Sequence, residues 1–357
     1  MPGSGHFKTS FQKDMAVFDT PFRKLWLGIL LAAVVAFPFF APRYYIHLGN
    51  LVLLSSIGAL MLNILTGYTG LISLGHAAFL AAGGFTVAAL VISFNPPPPF
   101  WVTVPAAGVV GALLGLLASL PALRLRAVYL ILSTVSIHYI VTLTVSLYQS
   151  GAGFISGINV PVGTIGPLKL ENSKVWFYFL LAVTIVVTIV CINLVRSRIG
   201  RAWMAIRDRD IAAAALGVNV AYYKILAFTF SSGVTAIVGA LGAYYLNFAA
   251  AEEYTIWVGI FYIAMIIVGG IGSILGSFFG AIIITLTPYL LDGLFHWINV
   301  PPRFQSYFFA IQFATFGLLV AMFLILEPGG LVALWRKLRT YFEMWPLKYH
   351  RAPTTTK

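Results

Sequence analysis

Of the 357 residues, 60% are hydrophobic and only 9% are charged, and the mean hydropathy is +0.94, so there is too little polar surface to coat a water-soluble globule of this size. The formal net charge is +12, yet no basic run interleaved with stacking aromatics stands outside the apolar segments, which excludes a nucleic-acid-binding module. A transmembrane β-barrel is excluded too, because runs such as residues 175–195 are apolar on every face instead of alternating.

A polar, net-basic tail occupies residues 1–23. The apolar run at 24–41 ends FPFFAPR, without the small-x-small pattern a signal peptidase cuts, and reads as a retained helix. Further apolar segments follow at 46–66, 72–94, 100–120, 126–149, 175–195, 225–247, 256–270, 272–291 and 304–326. Each is near the roughly 20 residues that a helix needs to cross the hydrocarbon. The expected fold is therefore all-α: a polytopic membrane domain over 24–326 with about ten spanning or partly spanning helices, closed by a polar tail over 327–357. With the N-terminus inside, 18 of the 22 Lys and Arg residues fall on the inner side. The outer loops keep Arg43, Lys169, Lys174 and Arg303, beside Glu171, Glu252, Glu253 and Asp292. The positive-inside rule then places both termini in the cytoplasm, and the basic face meets anionic membrane lipid.

Two turns on that inner side, 67–75 and 269–272, carry no charge and are rich in glycine. At membrane depth, irregular backbone is tolerated only where protein or a water-filled cavity satisfies it, so these turns are where a solute path is expected. Close helix packing is the alternative for the small residues, as for Gly111 and Gly115 or Gly272, Gly276 and Gly280 at small-xxx-small spacing. No acidic residue falls deep in any span, which argues against a proton-coupled carrier. HExxH, GxSxG and Walker-type motifs are absent, no metal site or catalytic residue is assigned, and the single cysteine, Cys191, reads as a small packing residue inside a span. His76, after the first glycine turn, either hydrogen-bonds a solute or bridges helices, and His138 lacks even that context.

Residues 197–224, SRIGRAWMAIRDRDIAAAALGVNVAYYK, form the longest stretch of mixed charge and alanine. A short surface helix is expected over 201–216, with Arg207 and Asp210 as a surface pair and Gly217 as a left-handed cap. Trp203, Ile206, Ala213 and Ala214 fall on one face, flanked by arginines such as Arg201. Two readings stand for that face: a docking knob for another protein, or an interfacial helix on anionic lipid.

Five segments resemble the LivM-type permeases of branched-chain amino acid ABC importers: LNILTGYTGLISLGHAAFLAAGG at 62–84, LRLRAVYLILST at 123–134, SRIGRAWMAIRDRDIAAAALGVNVAYYKILAF at 197–228, followed by VGGIGSILGSFFGA at 268–281, and EPGGLVAL at 327–334. The resemblance extends over about residues 50–334, and Asn63, Gly67, Gly70, Ser73, Gly75 and His76 match the family's signature. AAAALGVN, 212–219, sits where the wider group's EAA-like loop inserts into an ATPase dimer, with Asp210 the nearest preceding acid. The resemblance implies a subunit that binds no cofactor itself and is no enzyme, with ATP and Mg2+ held by partners. Those partners are two cytoplasmic ABC ATPases, a second, LivH-type permease subunit and an external solute-binding protein. It also implies a path lined by Asn63, Gly67, Tyr68, Gly70, Ser73, Gly75 and His76, and a coupling loop over 196–224 carrying Arg201, Trp203, Arg207, Asp210, Ala213, Ala214 and Gly217. The location implied is a bacterial-type inner membrane. Import of urea, short amides or aromatic acids by the same family, and a self-sufficient secondary carrier or channel, are the alternatives.

Overall fold

The computed structural model describes residues 21–125, 128–165, 168–169, 172–297, 307–327 and 329–344. The outer parts of both expected tails and the loop carrying Arg303 lie outside them.

The described chain is almost wholly helical. Helix α1 (Pro21–Phe40) leads to α2 (Arg43–Leu62), which continues as a π-helical turn at Asn63–Tyr68. There follow α3 (His76–Ser93), α4 (Phe100–Arg124) and α5 (Val128–Gly151). Three two-residue strands, β1 (Ile158–Asn159), β2 (Thr164–Ile165) and β3 (Leu168–Lys169), precede α6 (Ser173–Arg196) and α7 (Arg198–Ala215). The chain continues with α8 (Val220–Leu246), β4 (Phe248–Ala249), a 3-10 turn at Ala251–Glu253 and α9 (Ile256–Gly269). Last come α10 (Ile274–Trp297), α11 (Phe308–Leu326) and α12 (Gly330–Met344). Among the described residues nine helical stretches are long and apolar enough to cross a membrane, namely α2 to α6 and α8 to α11, with α9 counted together with the 3-10 turn before it as Ala251–Gly269. The apolar part of α1 that qualifies is the shorter Gly28–Phe40. Helices are the form that satisfies every backbone group within the segment itself, which hydrocarbon demands.

Helix α8 is the buried spine, and small residues let α3 and α4 lie directly on it. A Cβ at Gly83 would stand 1.8 Å from the Ala236 carbonyl oxygen, and one at Gly115 would stand 1.7 Å from Ser232 Oγ. Gly111 meets Ala236 in the same way, and Gly276 and Gly280 meet the backbone of α9 at Gly269 and Met265. For these glycines close helix packing holds, as expected where lipid leaves van der Waals fit as the main source of association.

The connections sort to two ends, in the odd-even order of the predicted topology. At one end β1 pairs antiparallel with β4, with Ile158 opposite Ala249. The Ala251 amide donates to Gln149 Oε1 at 2.9 Å, and buried Asn50 donates to the Ser173 carbonyl at 3.0 Å and to the Tyr245 hydroxyl at 3.2 Å. At the other end lie the glycine turns, α7 and the start of α12, together with most of the described Lys and Arg residues; this is the basic end.

Candidate functional site

The basic end is organised by one asparagine. Where α2 widens into its π-helical turn, the ordinary backbone ladder is lost, a distortion that recurs at functional sites. The freed groups are recovered locally: the Leu71 amide donates to the Leu65 carbonyl at 3.1 Å and Thr69 Oγ1 to the Ile64 carbonyl at 3.1 Å. Asn63, fully buried, then reaches across to the turn between α9 and α10. Its Nδ2 donates to the Ser273 carbonyl and to Ser277 Oγ, both at 2.8 Å, and its Oδ1 accepts from the Gly272 amide at 2.8 Å. A Cβ at Gly67 would lie 2.5 Å from the Gly272 nitrogen, so the two glycine turns touch backbone to backbone. Gly272 also has φ +75°, a left-handed conformation that L side chains disfavour.

Onto this contact comes Arg207 from α7. Its Nη1 donates to the Gly67 carbonyl, and a Cβ at Gly272 would stand 2.7 Å from the same nitrogen. One guanidinium therefore sits over both turns. The expected Arg207–Asp210 pair is not made, because Arg209 leaves the helical region (φ −158°, ψ 106°) and breaks the three-residue spacing that would align them. Asp210 turns to Lys224 of α8 instead, at 3.9 Å.

That break divides α7 into unlike halves. In the first, Ser197 caps the helix by accepting the Ile199 amide at 3.1 Å, and Arg201 donates to the Arg196 carbonyl at 3.2 Å. Trp203 is fully buried, its indole N–H donating to the Tyr223 carbonyl at 2.9 Å, and Ile206 is buried beside it. In the second half Ala213 is buried but Ala214 is exposed, and Ile211 and Leu216 are 68% and 84% exposed. The single apolar face expected of Trp203, Ile206, Ala213 and Ala214 is thus split between an anchor and a bare tip. The tip ends as expected at Gly217, with φ +86°: Val218 N–H reaches the Ala213 carbonyl and Gly217 N–H the Ala214 carbonyl, both at 3.0 Å, a Schellman cap.

The other residues of the first glycine segment lie inside the chain. Gly67, Tyr68, Ser73, Gly75 and His76 are buried, whereas Gly70 and Ile72 are exposed at the tip of the turn. The Leu74 amide donates to Thr134 Oγ1 of α5 at 3.1 Å, fixing the far side of the turn. His76 opens α3 and sets its ring edge-on to Tyr262, with centroids 4.7 Å apart. His138 is buried further along α5, and Cys191 is buried in α6.

The sequence profile described as "Branched-chain amino acid transport system / permease component" matches residues 44–326, which takes in both glycine turns and all of α7. The chain belongs to this permease family. It is 29% identical over 338 residues to the high-affinity branched-chain amino acid transport system permease protein LivM of Salmonella typhimurium, covering 88% of this chain and 76% of that protein. The LivM of Escherichia coli gives the same identity over the same length. A probable branched-chain amino acid transport permease protein LivM of Methanocaldococcus jannaschii is 23% identical over 304 residues, 82% of this chain and 85% of that one. No solved structure is significantly similar to the chain.

In this multi-pass permease the residues that complete the junction but escaped the sequence reading are Ser273, Ser277, Thr134 and Lys224. The serines stand in GGIGSILGS, where spacing marks them only as small residues; their partnership with Asn63 spans more than 200 positions. Between the exposed tip at Gly70 and Ile72 and the kink at Arg209 the permease leaves a cavity of about 240 Å³, bordered by Leu130, Arg207, Asp208 and Lys224. Arg207 thus bonds to the glycine turn at one edge of an open space.

Proposed function

We propose that this permease is one of two related membrane subunits of an ATP-driven importer for branched-chain or similar amino acids, resident in a bacterial-type inner membrane. Two cytoplasmic ABC ATPases dock on the bare second half of α7, around Ile211, Ala214 and Leu216. A second, LivH-type permease completes the path, and an external solute-binding protein delivers the solute. The observation that carries the reading is the wiring of that docking tip: it follows directly on Arg207 across the break at Arg209, and Arg207 bonds the Gly67 carbonyl and overlies Gly272. Movement of the tip is thereby passed to both glycine turns. In the assembled transporter Gly70 and Ile72 face the inner end of the path. Asn63, Gly67, Tyr68, Ser73, Gly75 and His76 hold the turn in shape behind them. That the relatives are named as branched-chain amino acid permeases supports the substrate class.

The test is reconstitution of the chain with its partner subunits in vesicles, with radiolabelled leucine. Uptake is expected only with ATP and only with all subunits present. In the Arg207→Ala variant, ATPase co-purification and basal hydrolysis should persist while leucine moved per ATP falls at least tenfold. ATP-independent uptake by the chain alone would make it a secondary carrier, and normal coupling in Arg207→Ala would remove the wiring.

A further inference from the structure

The helix after the last span, α12 (Gly330–Met344), abuts the Asn63 junction through its first turn. A Cβ at Gly330 would stand 2.6 Å from the Gly270 nitrogen, and one at Gly270 would stand 2.8 Å from the Gly329 carbonyl oxygen. The first turn of α12 therefore presses backbone against backbone on the 269–272 turn, from a direction different from that of Arg207 and Asn63. Val332 is buried in this contact, and Lys337 pairs with the Glu327 carboxylate, tying α12 back to the end of α11.

The opposite side of α12 is bare. Leu334, Trp335 and Leu338 share one helical face and are 38%, 54% and 54% exposed. This face is continuous with the membrane-facing surface of the spans: the Trp335 ring lies 6.2 Å from that of Phe279, in the second turn of α10, and Leu324, Ile325 and Leu326 at the end of α11 are exposed. Arg336 and Lys337 project away from it by helical periodicity. An apolar face carrying tryptophan at the edge of the spans, with cations on the other side, is the pattern of a helix lying in the membrane-water interface. Charge complementarity selects the occupant, because the inner leaflet is anionic and residues 327–344 hold Arg336, Lys337 and Arg339 against Glu343 and the Glu327 that Lys337 pairs with, a net positive segment.

We propose that α12 lies along the inner leaflet, with Leu334, Trp335 and Leu338 at the acyl boundary and its cations toward anionic headgroups, and that this seating sets the position of the 269–272 turn. Lipid charge then acts on the turn that Arg207 overlies. The seating rests only on the membrane fold, whereas its effect on transport rests on the importer reading above.

The experiment uses the complete transporter in vesicles of phosphatidylcholine, with or without one quarter phosphatidylglycerol. A spin label is placed by Trp335→Cys in a Cys191→Ala chain assembled with cysteine-free partners. The expected result is relaxation by lipid-soluble oxygen well above that by a water-soluble nickel chelate. Preferential relaxation by the chelate overturns the seating. So does protection from both reagents, since another protein would then cover the face. In the native transporter, leucine uptake per ATP should rise several-fold with phosphatidylglycerol. The Leu334→Gln, Leu338→Gln variant should lose that rise while keeping its ATPases. Uptake indifferent to lipid charge in the native transporter overturns the link to the turn. A native transporter that moves no leucine in either vesicle overturns the importer reading and leaves the label to decide the seating.

Discussion

The two halves of α7 are adjacent, the first carrying most of the charge and the second the alanine run, and the first is covered by its own chain while the second, Ala213 apart, is largely bare. Trp203 and Ile206 are buried against α8 and the core beneath it, whereas Ile211 and Leu216 stand in the open a turn or two later. The break at Arg209 makes the difference, since a straight helix would have carried one apolar stripe from Trp203 to Ala214 along the same surface. The contrast teaches that a short amphipathic segment can be anchor and contact surface at once, provided that its backbone breaks between the roles. It also explains why Arg207 is available to the glycine turns: it stands just before the break, on the anchored side.

Four changes test this contrast, beginning with the largest effect. Trp203→Ala removes a fully buried indole together with its hydrogen bond to the Tyr223 carbonyl; the expected loss is about 3–5 kcal/mol, read as a large drop in the thermal midpoint of the detergent-solubilised chain. A midpoint within a degree of the native one would mean that the first half is no anchor. Asn63→Leu keeps the branching of the side chain but removes the partner of the Gly272 amide and the two hydrogen bonds donated to Ser273 and Ser277; about 1–3 kcal/mol is expected, with faster hydrogen exchange confined to the two glycine turns. Exchange spread evenly over the chain would deny that Asn63 joins them.

Gly217→Val opposes φ +86° at the Schellman cap, at a cost of about 1–2 kcal/mol. Membrane insertion should persist, while ATPase co-purification falls several-fold. The smallest stability effect belongs to Ala214→Glu at an exposed position, within about 0.5 kcal/mol of native. Its consequence should be confined to association, again several-fold in co-purified ATPase. Full ATPase binding and normal uptake in both variants would return the tip to a lipid-surface role. Destabilisation by Ala214→Glu as large as that by Trp203→Ala would erase the distinction between the halves.

Much of this was legible in the chain. Gly67 and Gly70 were marked by the glycine-rich run around them, Asn63 by its match to the family's signature, and Gly217 by its place after an alanine-rich helix. The caps and spans follow from local preferences that act over a few residues. What escaped was the pairing of charges and amides. Arg207 and Asp210 look like partners at helical spacing, but a single residue outside helical φ/ψ sends one to Gly67 and the other to Lys224. Packing also decided between readings for Gly111, Gly115, Gly276 and Gly280, since small-xxx-small spacing is the same whether a glycine faces a helix or a path.

Composition alone determined that this chain is helical and membrane-spanning, because hydrocarbon accepts only backbone that satisfies itself, and the placement of Lys and Arg sorted its loops into two faces. The quoted motifs carried its family. Only the tertiary structure decided that residues 67, 207 and 272 meet at one point and that α12 presses on the same turn from another side. Those contacts join segments from 60 to more than 200 positions apart, and no local propensity encodes them. They arise where glycines lacking a Cβ let backbones close to hydrogen-bond distance around one buried asparagine.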